Sequence, residues 1–154
     1  KKVGYITQTT LSLDDTAEII TALKERFPEI KGPAKDDICY ATQNRQNAVK
    51  ALSKEVDLVL VVGAQNSSNS MRLLEVAETT GVKARRIESA AELDPEWLEA
   101  VRNVGITAGA SAPEDIVQGI VTEISKMSSS SIVRDLEIVQ EDVTFALPTE
   151  LRNA

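Results

Sequence analysis

The sequence contains no histidine and a single cysteine, Cys39, in 154 residues. Histidine is the commonest general base and the commonest metal ligand, so its absence argues against self-contained metal or catalytic-triad chemistry. One cysteine cannot form an internal disulfide, so the sequence does not predict cross-links made in an oxidising compartment.

Long apolar runs and surplus positive charge are also missing. No stretch approaches the roughly 20 apolar residues needed to span a bilayer, and the N-terminus has no basic segment followed by an apolar one. The net charge of -7 argues against broad attraction to nucleic acid or anionic lipid. We therefore expect no nucleic-acid partner and no membrane association, and predict an intracellular protein. Because the chain starts at Lys1 and enters an apolar run at once, a truncated polypeptide is expected.

What the sequence does contain is a regular alternation of short apolar runs and amphipathic stretches. The run at 58–62 is continuously aliphatic, as in a parallel strand covered on both faces. This rhythm predicts an α/β fold of three layers with a mostly parallel sheet. Strands are expected at 3–6, 58–62, 82–87, 104–107 and 143–147, and helices after Ser12, Thr42, residues 66–70, Asp94-Pro95 and residues 108–113.

Some of these elements carry specific expectations about caps and core. Ser12 and Thr42 are predicted helix N-caps, and Gly81 a left-handed helix end. Phe27 and Trp97 are expected in the core. The first helix should also bury Ile19, Ile20 and Leu23 on the face of Phe27.

Three predicted strands run into loops of hydroxyl and amide side chains, at 7–10, 66–70 and 107–111. In a parallel sheet such loops lie at the carboxyl ends of the strands, where ligands bind beside free helix N–H groups. Short Ser, Thr and Asn side chains suit phosphate, and Gly109 would allow close backbone approach. The loops therefore predict an anion site.

Helix capping is the alternative explanation of the same loops, because Ser, Thr and Asn are the preferred caps in any α/β domain. The density of residues 66–70 exceeds what one cap requires. Neither a Walker lysine motif nor a full Gly-x-Gly-x-x-Gly occurs, which argues against an ordinary NTPase.

Cys39 lies between a Gly-Pro linker and a helix start. A single cysteine is commonly a small buried apolar residue, but this position would also favour a thiolate that binds metal. One thiolate cannot hold an iron–sulfur cluster, so further ligands would have to come from elsewhere. The acidic pairs Asp14-Asp15 and Asp36-Asp37 are interpreted as complements to helix dipoles rather than as catalytic groups.

Several long motifs, in order, closely resemble the 4-hydroxy-3-methylbut-2-enyl diphosphate reductases of the non-mevalonate isoprenoid pathway. The resemblance runs almost end to end. The matching segments are residues 7–12, 36–46, 61–63, 66–70 and 107–113.

This resemblance implies reductive dehydroxylation of the allylic alcohol to isopentenyl and dimethylallyl diphosphates at a [4Fe–4S] cluster. Cys39 matches the last of three cluster cysteines. Thr9 matches a threonine that relays a proton near the substrate hydroxyl. Ser67, Ser68, Asn69 and Ser111 match residues that bind the diphosphate. Ferredoxin or flavodoxin is the implied electron donor, and the implied location is the cytoplasm, or a plastid in a plant or alga.

The departures from the family are as definite. Two cluster cysteines, the substrate-binding histidines and an acidic proton donor belong to an N-terminal half that this chain lacks. Within a pseudo-threefold arrangement of three α/β units, residues 1–35 would end the second unit, 36–127 would form the third, and 128–154 a linker and tail strand. A phosphate- or diphosphate-binding module without redox activity is the alternative function.

Overall fold

The computed structural model describes residues 2–33, 38–128 and 130–138. Within those ranges the chain forms an α/β fold. Asp36-Asp37, part of the predicted linker and the strand predicted at 143–147 lie outside the described residues.

The described sheet has three parallel strands, β1 (Leu58–Val62), β2 (Lys83–Ile87) and β3 (Val104–Ala108), in the order β2-β1-β3. Every residue of the central strand β1 is buried. A strand that is covered on both faces requires apolar side chains at successive positions, and 58–62 supplies them. The predicted α/β class with a parallel sheet is confirmed.

Helices cover both faces of the sheet. They are α1 (Leu13–Arg26), α2 (Tyr40–Leu52), α3 (Ser68–Thr79) and α4 (Glu114–Lys126), with 3-10 turns at Ala90–Glu92 and Pro95–Leu98. On one face, Val49 of α2 and Leu73 of α3 pack with Val59 and Val61. On the other face, α4 and the 3-10 turns pack against the alternate β1 side chains, Leu58, Leu60 and Val62. These contacts give the predicted three layers.

The structure confirms several local predictions. Ser12 caps α1, its Oγ accepting from the Asp15 N–H at 3.2 Å. Gly81 has a φ of +85° after α3, the left-handed conformation that glycine adopts without steric cost. Asp14 and Asp15 lie in the first turn of α1, as expected of dipole complements.

The predicted buried strand at 3–6 is wrong. Gly4 makes one isolated parallel bridge to Lys31, and Ile6 is 86% exposed. The core prediction for α1 is also largely wrong, because Ile19 is 60% and Phe27 41% exposed. Thr16 is the buried residue of α1, and Ile20 and Leu23, on the same side of the helix, are half-buried.

Two helices predicted from the sequence begin or form differently in the structure. Cys39, rather than Thr42, is the N-cap residue of α2, and Thr42 is buried within the helix. After Asp94-Pro95 the chain forms a 3-10 turn instead of an α-helix. Helical geometry ends at Glu99, which has a ψ of 128°, and Ala100 then adopts a φ of +60°. Trp97 is half-buried against the core. In the described part of the chain, no helix combines the length and apolarity needed to cross a membrane.

Candidate ligand-binding edge of the sheet

The carboxyl ends of β1 and β3 meet at one edge of the sheet, which we call the carboxyl edge and define by residues 63–70 and 109–113. Val62 is in register with Ala108, and the Gly109 N–H donates to the Val62 carbonyl at 2.8 Å. Each strand is followed by a glycine and then by a polar loop that leads into a helix. Two of the three predicted loops therefore lie side by side.

Ser70 joins these two loops. Its side chain is fully buried, and its Oγ donates to Ser67 Oγ at 3.0 Å. A Cβ added at Gly63 or at Gly109 would collide with Ser70 Oγ. The sequence predicts close approach of a ligand at Gly109, whereas in the structure Ser70 fills this space. Gly63 and Gly109, which follow β1 and β3, were the sequence signal that a side chain such as Ser70 packs against the backbone here.

Capping accounts for one residue of the 66–70 loop. Ser67 is the N-cap of α3, and its Oγ accepts from the Ser70 N–H at 3.3 Å. The N-cap of α4 is Pro113, which has no side chain able to cap, so Ser111 does not serve this purpose. Capping therefore leaves Ser68, Asn69 and Ser111 unexplained.

Asn69 carries the clearest mark of an incomplete site. Both polar atoms of its side-chain amide, Oδ1 and Nδ2, are buried, and neither finds a hydrogen-bond partner among the described residues. An unpaired buried polar group costs about 1–3 kcal/mol, and such groups are rare in folded proteins. A hydrogen-bonding ligand in the first turn of α3 would remove this cost.

Ser111 is exposed on the loop between β3 and α4. It lines a small cavity of about 150 Å³ together with Val62, Gly63 and Glu88. Since Gly63 begins the loop that carries Ser67–Asn69, Ser111 faces the same edge as those residues.

Two charged residues that the sequence analysis missed hold the β1–α3 loop in place. Glu88, just after β2, accepts from the Gln65 N–H at 2.7 Å, and Arg86 donates to the Gly63 carbonyl at 3.3 Å. Arg86 and Glu88 also form an ion pair at 3.4 Å. Nothing in the sequence pattern distinguishes these two residues from ordinary surface charges.

The third predicted loop approaches from α1. An open cleft of about 430 Å³ separates it from the β1–α3 loop. Gln8 and Thr10 line one side of this cleft, and Ser67 and Ser68 line the other. The structure thus brings all three predicted loops to one end of the fold.

Thr9 and Cys39 are both exposed, and their backbones are joined. The Cys39 N–H donates to the Thr9 carbonyl at 3.3 Å. Cys39 occupies the N-cap position of α2, where a thiolate would face the positive end of the helix dipole. The residues predicted for proton relay and for iron binding are therefore neighbours.

Cys39 is the only cysteine of the chain. Among residues 2–33, 38–128 and 130–138, no group of three His, Cys, Asp or Glu side chains is arranged to hold a metal ion. An exposed thiol at a helix start fits one ligand position of an iron–sulfur cluster, and such a cluster needs further thiolates.

The fold and this edge define an α/β domain of the class that binds ligands at the carboxyl ends of parallel strands. The family model described as LytB protein matches residues 1–125. The chain belongs to the LytB protein family.

The relatives extend this assignment. The chain is 57% identical over 153 residues to a protein of Azoarcus sp. (strain BH72) named 4-hydroxy-3-methylbut-2-enyl diphosphate reductase; the match covers 99% of this chain and 49% of the relative. A protein of the same name from Tolumonas auensis is 53% identical, with the same coverage of both chains. The chain spans about half the length of the curated relatives it matches.

Solved structures show the same relationship. The fold matches the E-1-hydroxy-2-methyl-but-2-enyl-4-diphosphate reductase of Plasmodium falciparum with a TM-score of 0.90 and 34% identity. That match covers 99% of this chain and 48% of the solved one. Backbone geometry and sequence therefore agree over nearly the whole chain.

Proposed function

We propose that this chain supplies the C-terminal half of a 4-hydroxy-3-methylbut-2-enyl diphosphate reductase and acts with an N-terminal half of similar length. The observation that carries the proposal is the buried amide of Asn69, which has no hydrogen-bond partner among the described residues and lies among hydroxyl side chains at the carboxyl edge. A relative of about twice this length is named 4-hydroxy-3-methylbut-2-enyl diphosphate reductase, and its identity to this chain supports the substrate diphosphate as the ligand of this amide.

The substrate diphosphate would bind at the carboxyl edge. Asn69 Nδ2 can donate to a phosphate oxygen, and the exposed hydroxyls of Ser68 and Ser111 can donate beside it. Ser67 Oγ already accepts two hydrogen bonds from Ser70, so its own proton can point toward the ligand. Neutral donors at the start of α3 suit an anion without a bound cation.

The reacting end of the substrate would lie near Thr9 and Cys39. Cys39 Sγ would hold one iron of a [4Fe–4S] cluster, with the remaining thiolates supplied by the N-terminal half. When bound, the cluster would pass on two electrons from the electron donor, one at a time, and supply Lewis acidity for cleaving the allylic C–O bond. The Thr9 hydroxyl would pass one proton to the departing oxygen, which leaves as water. A second proton would add to the allyl group that has taken up the two electrons, which gives isopentenyl or dimethylallyl diphosphate. The Cys39–Thr9 backbone hydrogen bond keeps the two residues adjacent.

The wider assembly follows from the same proposal. Residues 1–35 would complete a second α/β unit, 36–127 would form the third, and 128–154 would cross back as linker and tail. Ferredoxin or flavodoxin would deliver electrons, and the enzyme would act in the cytoplasm.

A diphosphate-binding module without redox activity is the second candidate. The observation that favours it is the lack of a three-ligand metal group in the described residues. In this case the chain would bind diphosphate with no iron and no further polypeptide.

A chimera separates the two candidates. We would join this chain to the N-terminal half of the Azoarcus reductase, purify it anaerobically, and measure iron content and conversion of 4-hydroxy-3-methylbut-2-enyl diphosphate. A reductase half should restore about four irons and turnover. The same chimera carrying Cys39→Ser should lose the intact cluster.

The intact Azoarcus enzyme and this chain alone serve as references. A correctly folded chimera without iron or turnover, together with inorganic diphosphate binding by the chain alone, would reject the reductase and support the binding module. Normal iron in the Cys39→Ser chimera would reject only the ligand assignment.

A further inference from the structure

Gln46 is a fully buried polar residue in the middle of α2. Its Nε2 donates to the Leu11 carbonyl at 2.7 Å, and its Oε1 accepts from the Leu13 N–H at 3.1 Å. Buried amides are costly unless paired, and here donor and acceptor are both used on one short segment. The side chain therefore clamps the backbone just before α1.

This clamp lies beside Thr9. The Leu11 N–H donates to the Gln8 carbonyl at 3.3 Å, which closes a turn with Thr9 and Thr10 at its centre. Gln46 holds the carbonyl of the residue that ends this turn. The position of the Thr9 turn is thus fixed from α2, across more than thirty residues of sequence.

The same helix holds the turn at a second point. The Cys39 N–H, at the start of α2, donates to the Thr9 carbonyl at 3.3 Å. Seven residues separate Cys39 from Gln46, roughly 10 Å of helix at about 1.5 Å per residue. Two attachments this far apart on one rigid element restrict both the distance and the orientation of Thr9 relative to Cys39.

We propose that Gln46 is a positioning residue that fixes the Thr9 hydroxyl relative to the group bound at Cys39. This inference rests on the proposed reductase function. Gln46 acts through Thr9, so its loss should slow the chemical step and leave diphosphate binding at the carboxyl edge intact. A displacement near 1 Å of a reacting group costs about a hundredfold in rate.

The test is Gln46→Met in the chimera, since methionine has similar length and cannot hydrogen-bond strongly. We expect full iron content, an unchanged KM and a kcat lower by about tenfold to a hundredfold. Lys50→Met is the matched control: Lys50 lies one turn further along α2 and pairs with Asp14, within α1, at 2.7 Å. Its kcat should be unchanged.

A second variant covers failure of the first to fold. Gln46→Leu also removes the donor to the Leu11 carbonyl and the acceptor for the Leu13 N–H without adding a buried charge, so a lower kcat with normal iron is again expected. The spectrum of the reduced cluster provides a readout besides turnover, and it should match the unsubstituted chimera if only Thr9 has moved.

Three results would overturn the positioning role: normal kcat in a folded Gln46 variant, an equal loss in Lys50→Met, or loss of iron in both Gln46 variants. The last would make Gln46 a general structural support. If the unsubstituted chimera itself lacks iron and turnover, the reductase proposal fails. If the unsubstituted chimera is active and a Gln46 variant is equally active, the positioning role fails and the reductase proposal stands.

Discussion

The two ends of the sheet differ in whether a polar side chain there has hydrogen-bond partners within the described residues. At the amino end, Asp57 precedes β1, and its carboxylate accepts from the backbone N–H groups of Arg102 and Asn103 at 3.0 and 2.9 Å. At the carboxyl edge, the amide of Asn69 is buried without a partner among the described residues. The Asp57 carboxylate thus has its hydrogen-bond donors within the chain, whereas, among the described residues, the Asn69 amide has donor and acceptor capacity left for a ligand.

Asn69→Ala should have the largest effect on the carboxyl edge. In the chimera, loss of the amide should raise KM about fivefold to 150-fold, corresponding to about 1–3 kcal/mol for a lost buried partner. Steady-state kinetics measures this change. Asp57→Ala should leave KM unaltered, and an equal rise in both variants would remove the distinction between the two ends.

The same Asn69→Ala substitution should not destabilise the chain without ligand, because it removes a buried amide that has no partner in the described part of the chain. Urea unfolding of the chain alone would test this point. A marked loss of stability would mean that the amide has a partner in the folded chain.

Filling the space that Ser70 Oγ occupies beside Gly63 and Gly109 should have the next largest effect, on stability. Gly109→Ala should destabilise the chain by about 1–3 kcal/mol, because the new methyl group collides with Ser70 Oγ. Adding Ser70→Ala should restore stability, since the two Cβ atoms would then lie 3.5 Å apart. Ser70→Ala should not rescue Gly63→Ala, whose Cβ would lie 2.7 Å from that of residue 70.

Urea unfolding of the two double-mutant cycles measures this difference in rescue. Equal rescue at both glycines would contradict the arrangement around Ser70.

Asp57 should make the amino end sensitive to acid. Hydrogen bonds from the backbone N–H of Asn103 and then of Arg102 hold the pKa of Asp57 below its ordinary value. A carboxyl group whose pKa is lower in the folded state stabilises the fold above its unfolded pKa, and this contribution is lost as the pH falls through the folded pKa. Asp57→Ala should therefore be less stable than the parent near neutral pH.

The gap between Asp57→Ala and the parent should close in acid. Unfolding curves from pH 7 to pH 2 would measure it, with Asp57→Asn as a variant that keeps one acceptor oxygen without the charge. A gap that stays constant over this range would contradict the ionic contribution.

Surface ion pairs between helices should matter least. Lys50→Met removes the exposed pair with Asp14 and should change the free energy of unfolding by about 0–1 kcal/mol. Thermal unfolding at low and high salt would detect it. A larger loss would show that the contact between α1 and α2 depends on this pair.

Much of the fold was predictable because β1, β2 and β3 have patterns that local physics interprets directly. A continuously aliphatic run must be covered on both faces, and glycine after α3 permits a left-handed end. The first strand and the face of α1 could not be predicted in this way. Ile6 and Ile19 are apolar, yet burial depends on what packs against them, and they are exposed in the described structure.

The candidate site likewise has features that could be predicted from the sequence and features that could not. The sequence by itself determined the polar loops, the lone cysteine and the family resemblance, because these depend on residue type and order along the chain. Only the tertiary structure revealed the position of Ser70 between Gly63 and Gly109, the Asn69 amide without a partner within the described ranges, and the clamp of Gln46 on the Thr9 turn. Each of these features depends on atoms from separate elements that folding brings close together. Hydrogen bonds and steric contacts are short-range, so they depend on these distances in space and not on the order of residues along the chain.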